Sequence, residues 1–171
     1  MRVSDPGVYG NTDTAQQPVL FFEDFVLGNI ILHGSVTLAE ADIIRFAAEF
    51  DPQPMHTDPM VAQSVAGGLI ASGWHTASLT MRLLVTGGNY RPAPGTLGLG
   101  IEALHWHCPV RPGDTLRVQL ELLSKRLSKS RPEFGILTMR CTTVNQHEVV
   151  VQTMITTALV PRRSKQACTA A

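Results

Sequence analysis

The stretch "SGWHTASLTMRLLV", Ser72 to Val85, decides how this chain folds. Its apolar residues recur at helical spacing: Leu79, Leu83 and Leu84 share a stripe with Thr76 and Ala77. Arg82 is its one charged residue, so the helix is predicted to be buried on most sides. The chain beyond this helix has a different period. "LGLGIEALHWHCPV" alternates, "RPGDTL" turns, "RVQLELLSKRLSK" alternates, "SRPEF" turns, "GILTMRCTTVN" alternates, "QHE" turns, and "VVVQTMITTALV" closes the series. Period-two runs broken by turn residues predict four consecutive antiparallel strands in meander order. A sheet must bury one face, and the apolar helix before it supplies the partner surface. The class predicted is α+β, with an antiparallel sheet wrapped around one long central helix.

Upstream, "NIILHGSV" (Asn29 to Val36) reads as a strand. Thr37 with Glu40 three residues on has the pattern of a capping box. Apolar residues at Leu38, Ile43, Phe46, Ala47 and Phe50 then predict an amphipathic helix. It ends at Asp51-Pro52, because the residue before a proline is pushed out of helical backbone. Asp58 and Pro59 suit the N-cap and first position of a further helical turn over 58–64. Residues 1–18 have the composition of a flexible arm, 19–160 of one folded domain, and 161–171 of a disordered tail.

Between the two longer helices lies "EFDPQPMHTDP", Glu49 to Pro59, with three prolines, three carboxylates and a histidine. By position alone Asp51 is a helix stop and His56 a structural histidine. An irregular loop braced by Pro52 and Pro54 would equally hold the two as a fixed acid–base pair.

Three blocks carry a resemblance to a known family. "FDPQPMH" (Phe50 to His56) resembles the G-D-x-N-P-L-H signature of the MaoC-like dehydratases and (R)-specific enoyl-CoA hydratases. "GGLIASGWHTASL" (Gly67 to Leu79) resembles their P-I-x-H-G-M-L-x-A-S-L block, and "PVRPGDTL" (Pro109 to Leu116) their P-V-x-x-G-D-T-L turn. The blocks occur in family order. The resemblance implies a hot-dog fold over residues 19–160 that pairs as a homodimer or higher homo-oligomer. It implies a hydro-lyase of fatty acid metabolism that adds or removes water across the α,β double bond of an acyl-CoA thioester. No metal or other cofactor is expected, coenzyme A being part of the substrate. Residue by residue, Asp51 and His56 match the catalytic pair, and Gly73 matches the glycine that opens the central helix. Phe50, Gln53, Ser72 and Trp74 depart from the pattern. Gln53 and Ser72 keep hydrogen-bonding capacity, and the substrate pocket implied is lined by Gln53, Met81, Phe50 and Trp74, the last two reshaping its acyl part.

The residue types suit that chemistry. One Asp and one His on the same water provide a base and an acid. Free N–H groups at the Ser72-Gly73 helix start favour the negative charge that develops on a thioester oxygen. The same fold also serves acyl-CoA thioesterases and non-catalytic acyl-CoA-binding modules. A binder has no need of a paired acid and base, and a thioesterase would release free thiol.

Other features have plainer readings. Lys125, Arg126, Lys129 and Arg131 surround one turn, either as a solvated hairpin or as a cradle for coenzyme A phosphates. His75 reads as a packed, hydrogen-bonded helix histidine. His105 and His107 share a strand face, yet zinc would need a third ligand, so no metal site is assigned. Cys108, Cys141 and Cys168 have no framework spacing and read as two core residues and one tail thiol. Zero net charge gives no long-range pull toward nucleic acid or anionic membrane. With no apolar run approaching the ~20 residues of a membrane span, the expected compartment is the cytoplasm.

Overall fold

In a computed structural model, residues 17–88 and 90–163 are described. A five-stranded antiparallel sheet has the order β2 (Ile30–Thr37), β5 (Thr115–Leu127), β6 (Phe134–Val144), β7 (Val150–Pro161), β4 (Leu97–Trp106). The short β1 (Val19–Leu20) pairs in parallel with β3 (Arg91–Pro92). The helices between β2 and β3 are α1 (Glu40–Phe50), α2 (Pro54–Thr57), α3 (Pro59–Ala66) and α4 (Gly73–Thr86).

The four long strands form as their alternation predicts, but the meander order holds only for β5, β6 and β7. β4 pairs with β7 at the far edge, and β2 takes the place beside β5. The connection from Trp106 to Thr115 is longer than a hairpin turn, so it imposes no pairing on its two strands. It has to span only three strand spacings, about 14 Å. It also holds neighbouring segments: Gly113 donates to the Leu38 carbonyl, and Ala71 donates to the Val110 carbonyl.

α4 lies on the inner sheet face. Leu79 and Leu83 join Val36, Ile43, Leu116 and Val118 in the main core. A buried polar strip crosses the same contact. Thr80 Oγ1 meets Thr143 Oγ1 at 2.7 Å and accepts from Gln152 Nε2 at 3.0 Å, so these buried groups are satisfied. Burial on most sides is not what α4 has. Trp74, Met81 and Val85 form an exposed apolar stripe along it.

Local expectations are adjusted in three places. α1 begins at Glu40 with no side-chain cap, because Thr37 is the last residue of β2 and its hydroxyl meets that of Thr115. The loop holding His56 contains a helical turn, α2, with Pro54 at its first position. Asp58 caps α3 as expected, accepting from Met60 N and Val61 N. At the chain's end β7 runs to Pro161, and Arg162 and Arg163 pair with Glu23 and Asp24. The expectations for residues 1–16 and 164–171, with Cys168, lie outside the described residues. Cys141 is buried, whereas Cys108 is exposed.

Candidate active site

Asp51, His56, Ser72 and Gly73 come together at the N-terminus of α4. α1 stops at Asp51, whose N–H still bonds back to the Ala47 carbonyl, so the helix end aims the carboxylate. Ser72 Oγ donates to Asp51 Oδ2 at 2.6 Å, and Gln53 Nε2 donates to Oδ1 at 2.8 Å. The Ser72 bond, then the Gln53 bond, hold the Asp51 carboxyl below the usual carboxylate range; partial burial opposes them and the nearby His56 adds to them. Asp51 is therefore an anion at neutral pH.

His56 Nε2 stands 3.5 Å from Asp51 Oδ2. Its Nδ1 lies 2.8 Å from the Ile70 carbonyl. A carbonyl can only accept, so Nδ1 carries a proton and donates, and in the tautomer with that single ring proton Nε2 is an acceptor. Two acceptors, one anionic, therefore face the same small volume. A water donating one hydrogen to each would present its lone pair outward.

Ser72 also caps α4: its Oγ accepts from Trp74 N at 3.2 Å, and the Thr76 N–H bonds to the Ser72 carbonyl. The Gly73 N–H has no acceptor among the described residues and is available to an anionic oxygen. Gly73 has a steric reason as well. A Cβ there would lie 2.5 Å from Cε2 of Trp106. Trp106 ends β4, stands edge-on to Trp74, and is fixed by donating from Nε1 to Gln152 Oε1 at 2.9 Å. This packing was missed from the sequence; a glycine at the first position of a helix was the available signal. Arg111 was also missed. Its guanidinium donates to the Ala66 and Gly67 carbonyls and so pins the segment after α3.

The remaining candidates do not gather into one pocket with this group. Gln53, expected in the substrate pocket, is a partner of Asp51. Phe50 is exposed with its ring against Phe46, and Trp74 is exposed beside Trp106. Met81 lines a cavity of about 690 Å³ near the C-terminal half of α4, whose wall includes neither Asp51 nor His56. His75 is buried and stacked on Phe46 at 4.5 Å, but it is not hydrogen-bonded at Nδ1. His105 and His107 lie 6.2 Å apart, with His107 Nε2 at 2.8 Å from Thr153 Oγ1.

The phosphate cradle needs correction. Lys125 Nζ donates to the Phe25 and Phe22 carbonyls at 2.7 and 3.1 Å, closing the turn before β2. Arg131 lies over the Phe134 ring, and Arg126 and Lys129 are exposed. The turn they share joins Leu127 to Phe134, at the opposite end of the sheet from Trp106 and the α4 N-terminus. Within one chain these cations do not converge on the Asp51–His56 pair.

A long helix on a five-stranded antiparallel sheet is the hot-dog fold, and here an acid and a histidine stand at the helix start. The model of the MaoC like domain matches residues 24–145, and the chain belongs to that family. It is similar to the MaoC-like dehydratase of Rhodospirillum rubrum, with 46% identity and a TM-score of 0.80 over 85% of this chain and 99% of that one. The unliganded R-hydratase PhaJ1 of Pseudomonas aeruginosa is 28% identical, with a TM-score of 0.68 over 84% and 86% of the two chains. An uncharacterized protein of Bacillus subtilis, YdeM, is 37% identical over 75% of this chain and 90% of its own length.

Proposed function

We propose that this chain is an (R)-specific enoyl-CoA hydratase, equally a 3-hydroxyacyl-CoA dehydratase in reverse. The observation that carries the reading is the pairing of Asp51 Oδ2 and His56 Nε2 at 3.5 Å, two proton acceptors beside the start of α4. A water between them loses one proton to the pair as its oxygen bonds to the β-carbon. The electron pair of the double bond moves through the α-carbon toward the thioester oxygen, where the Gly73 N–H and the helix terminus favour negative charge. The proton held by the pair then goes to the α-carbon. Coenzyme A enters as part of the substrate, and the steps proposed call on no metal or redox group.

A second copy of the chain is part of this proposal. Edge strand β4 exposes Leu97, Leu99 and Ile101, and α4 exposes Trp74, Met81 and Val85. An open strand edge with apolar side chains favours pairing with a like edge.

The test is crotonyl-CoA hydration, followed by loss of enoyl absorbance, with chiral analysis of the product. The expected product is 3-hydroxybutyryl-CoA of R configuration, with no free thiol. Thiol release without hydration would point to a thioesterase and overturn the proposal.

A further inference from the structure

The 690 Å³ cavity has a feature the hydration chemistry does not use. Its wall is predominantly apolar, with Phe25, Leu84, Leu120, Leu137 and Met139 among the residues. Arg91 is the charged residue in that wall. The other polar groups there are already engaged. Tyr90 Oη meets His33 Nε2 at 3.3 Å, Thr96 Oγ1 donates to the Ala93 carbonyl at 2.8 Å, and Thr157 Oγ1 donates to Glu102 at 2.9 Å. Thr156 bonds to Cys141. The Arg91 side chain differs: its Nε is buried with no hydrogen-bond partner, and no carboxylate among the described residues pairs with its guanidinium.

A buried guanidinium nitrogen without an acceptor costs free energy that an anionic partner recovers. The rest of the space suits a hydrocarbon body. A cavity of this size lies within the range of small-ligand sites, which join an apolar wall to a few placed polar groups. On β4, a Cβ at Gly98 or Gly100 would meet nothing within 4 Å, so the wall leaves room beside the strand.

We propose that this cavity binds an apolar chain ending in a carboxylate, with Arg91 receiving the carboxylate. Arginine suits that role because its planar fork matches the two carboxylate oxygens. Two sources share this chemistry: a free fatty carboxylate acting as a separate ligand, and the distal carboxylate of a dicarboxylic enoyl-CoA substrate. The second source rests on the hydratase reading; the first does not.

The experiment measures binding of decanoate and of decanol to the full chain by calorimetry, in wild type, Arg91→Gln, Arg91→Lys and Gly98→Leu. Arg91→Gln is expected to weaken decanoate by about tenfold or more, the scale of a charge-assisted bond, and to leave decanol unchanged. Arg91→Lys should recover part of the loss. Gly98→Leu should weaken both probes by filling space. Equal decanoate affinity in wild type and Arg91→Gln, or no binding by wild type, overturns the proposal. A parallel assay assigns the source. If Arg91→Gln raises KM for an enoyl-CoA with a distal carboxylate but not for crotonyl-CoA, the carboxylate belongs to the substrate. If both KM values are unchanged while decanoate binding falls, it belongs to a separate ligand. Arg91-dependent decanoate binding with no hydration of any enoyl-CoA would sink the hydratase reading and leave this one standing.

Discussion

Ser72 Oγ donates a 2.6 Å hydrogen bond to Asp51 Oδ2, joining the start of α4 to the end of α1. The same oxygen accepts from Trp74 N, so one hydroxyl both caps the central helix and sets the acid. With Gln53 on Oδ1, the carboxylate is held at both oxygens before any substrate arrives.

Asp51→Asn and His56→Ala should each lower kcat/KM on crotonyl-CoA by at least about 10²-fold, the usual scale for a positioned acid or base. Circular dichroism should show the fold retained. Near-wild-type rates in either variant would remove the pair from the mechanism.

Ser72→Ala takes away the largest influence holding the Asp51 carboxyl low. The Asp51 pKa should rise toward the ordinary carboxylate value. Any acid limb of the rate profile due to Asp51 should then move to higher pH, with kcat falling more than KM rises. Ser72→Thr, which keeps a hydroxyl, should restore the limb. An unchanged profile in Ser72→Ala would show that Ser72 only caps the helix.

Gly73→Ala drives a methyl group into Trp106, which the Gln152 bond keeps from moving aside. Overpacking of this kind costs about 1–3 kcal/mol. Denaturant titration should show that loss, and Trp106→Leu in the same chain should relieve part of it. Additive losses would mean that the two sites do not touch.

Lys125→Met removes the donor from the Phe22 and Phe25 carbonyls. Stability should fall by about 1–3 kcal/mol, the cost of leaving partly buried acceptors unpaired. KM for crotonyl-CoA should stay within about twofold, since the Lys125 turn lies apart from the Asp51–His56 pair. A large rise in KM at unchanged stability would restore the phosphate-cradle role.

His75 and His33 are both held below the usual histidine range by burial. Unfolded, each takes up a proton near about pH 6.5. The unfolded chain thus binds more protons in this window, so stability is full above about pH 6.5 and falls as pH drops below it. For His75 the Asp42 carboxylate opposes this shift and Arg45 reinforces it. His75→Phe keeps the stacking on Phe46 and removes the titrating ring. Its melting temperature should exceed that of wild type by more at pH 5 than at pH 7. A constant difference would mean that His75 does not titrate on unfolding.

Much of the site was legible because its parts are local. Asp51 before Pro52, Asp58 before Pro59 and Ser72 before Gly73 each follow from backbone rules acting over a few residues. His56 was readable as a candidate, but not its tautomer, which depends on the Ile70 carbonyl. The Lys125 turn illustrates the opposite failure. Four cations close in sequence suggest one anion site, but the fold uses one on backbone carbonyls and holds the turn at the far end of the sheet from the Asp51–His56 pair.

The amino-acid order by itself determined the two longer helices and the five long strands, because 3.6-residue and two-residue periods are written into the chain. It also determined the residue types available to the acid–base pair. Only tertiary structure decided that β4 leaves its sequence neighbour β5 for β7, since a long connection places no constraint on which strand is met. The same choice brought Trp106 under Gly73 and opened the cavity beside Arg91. Strand order is settled by which faces bury together across the whole sheet, and no local pattern carries that information.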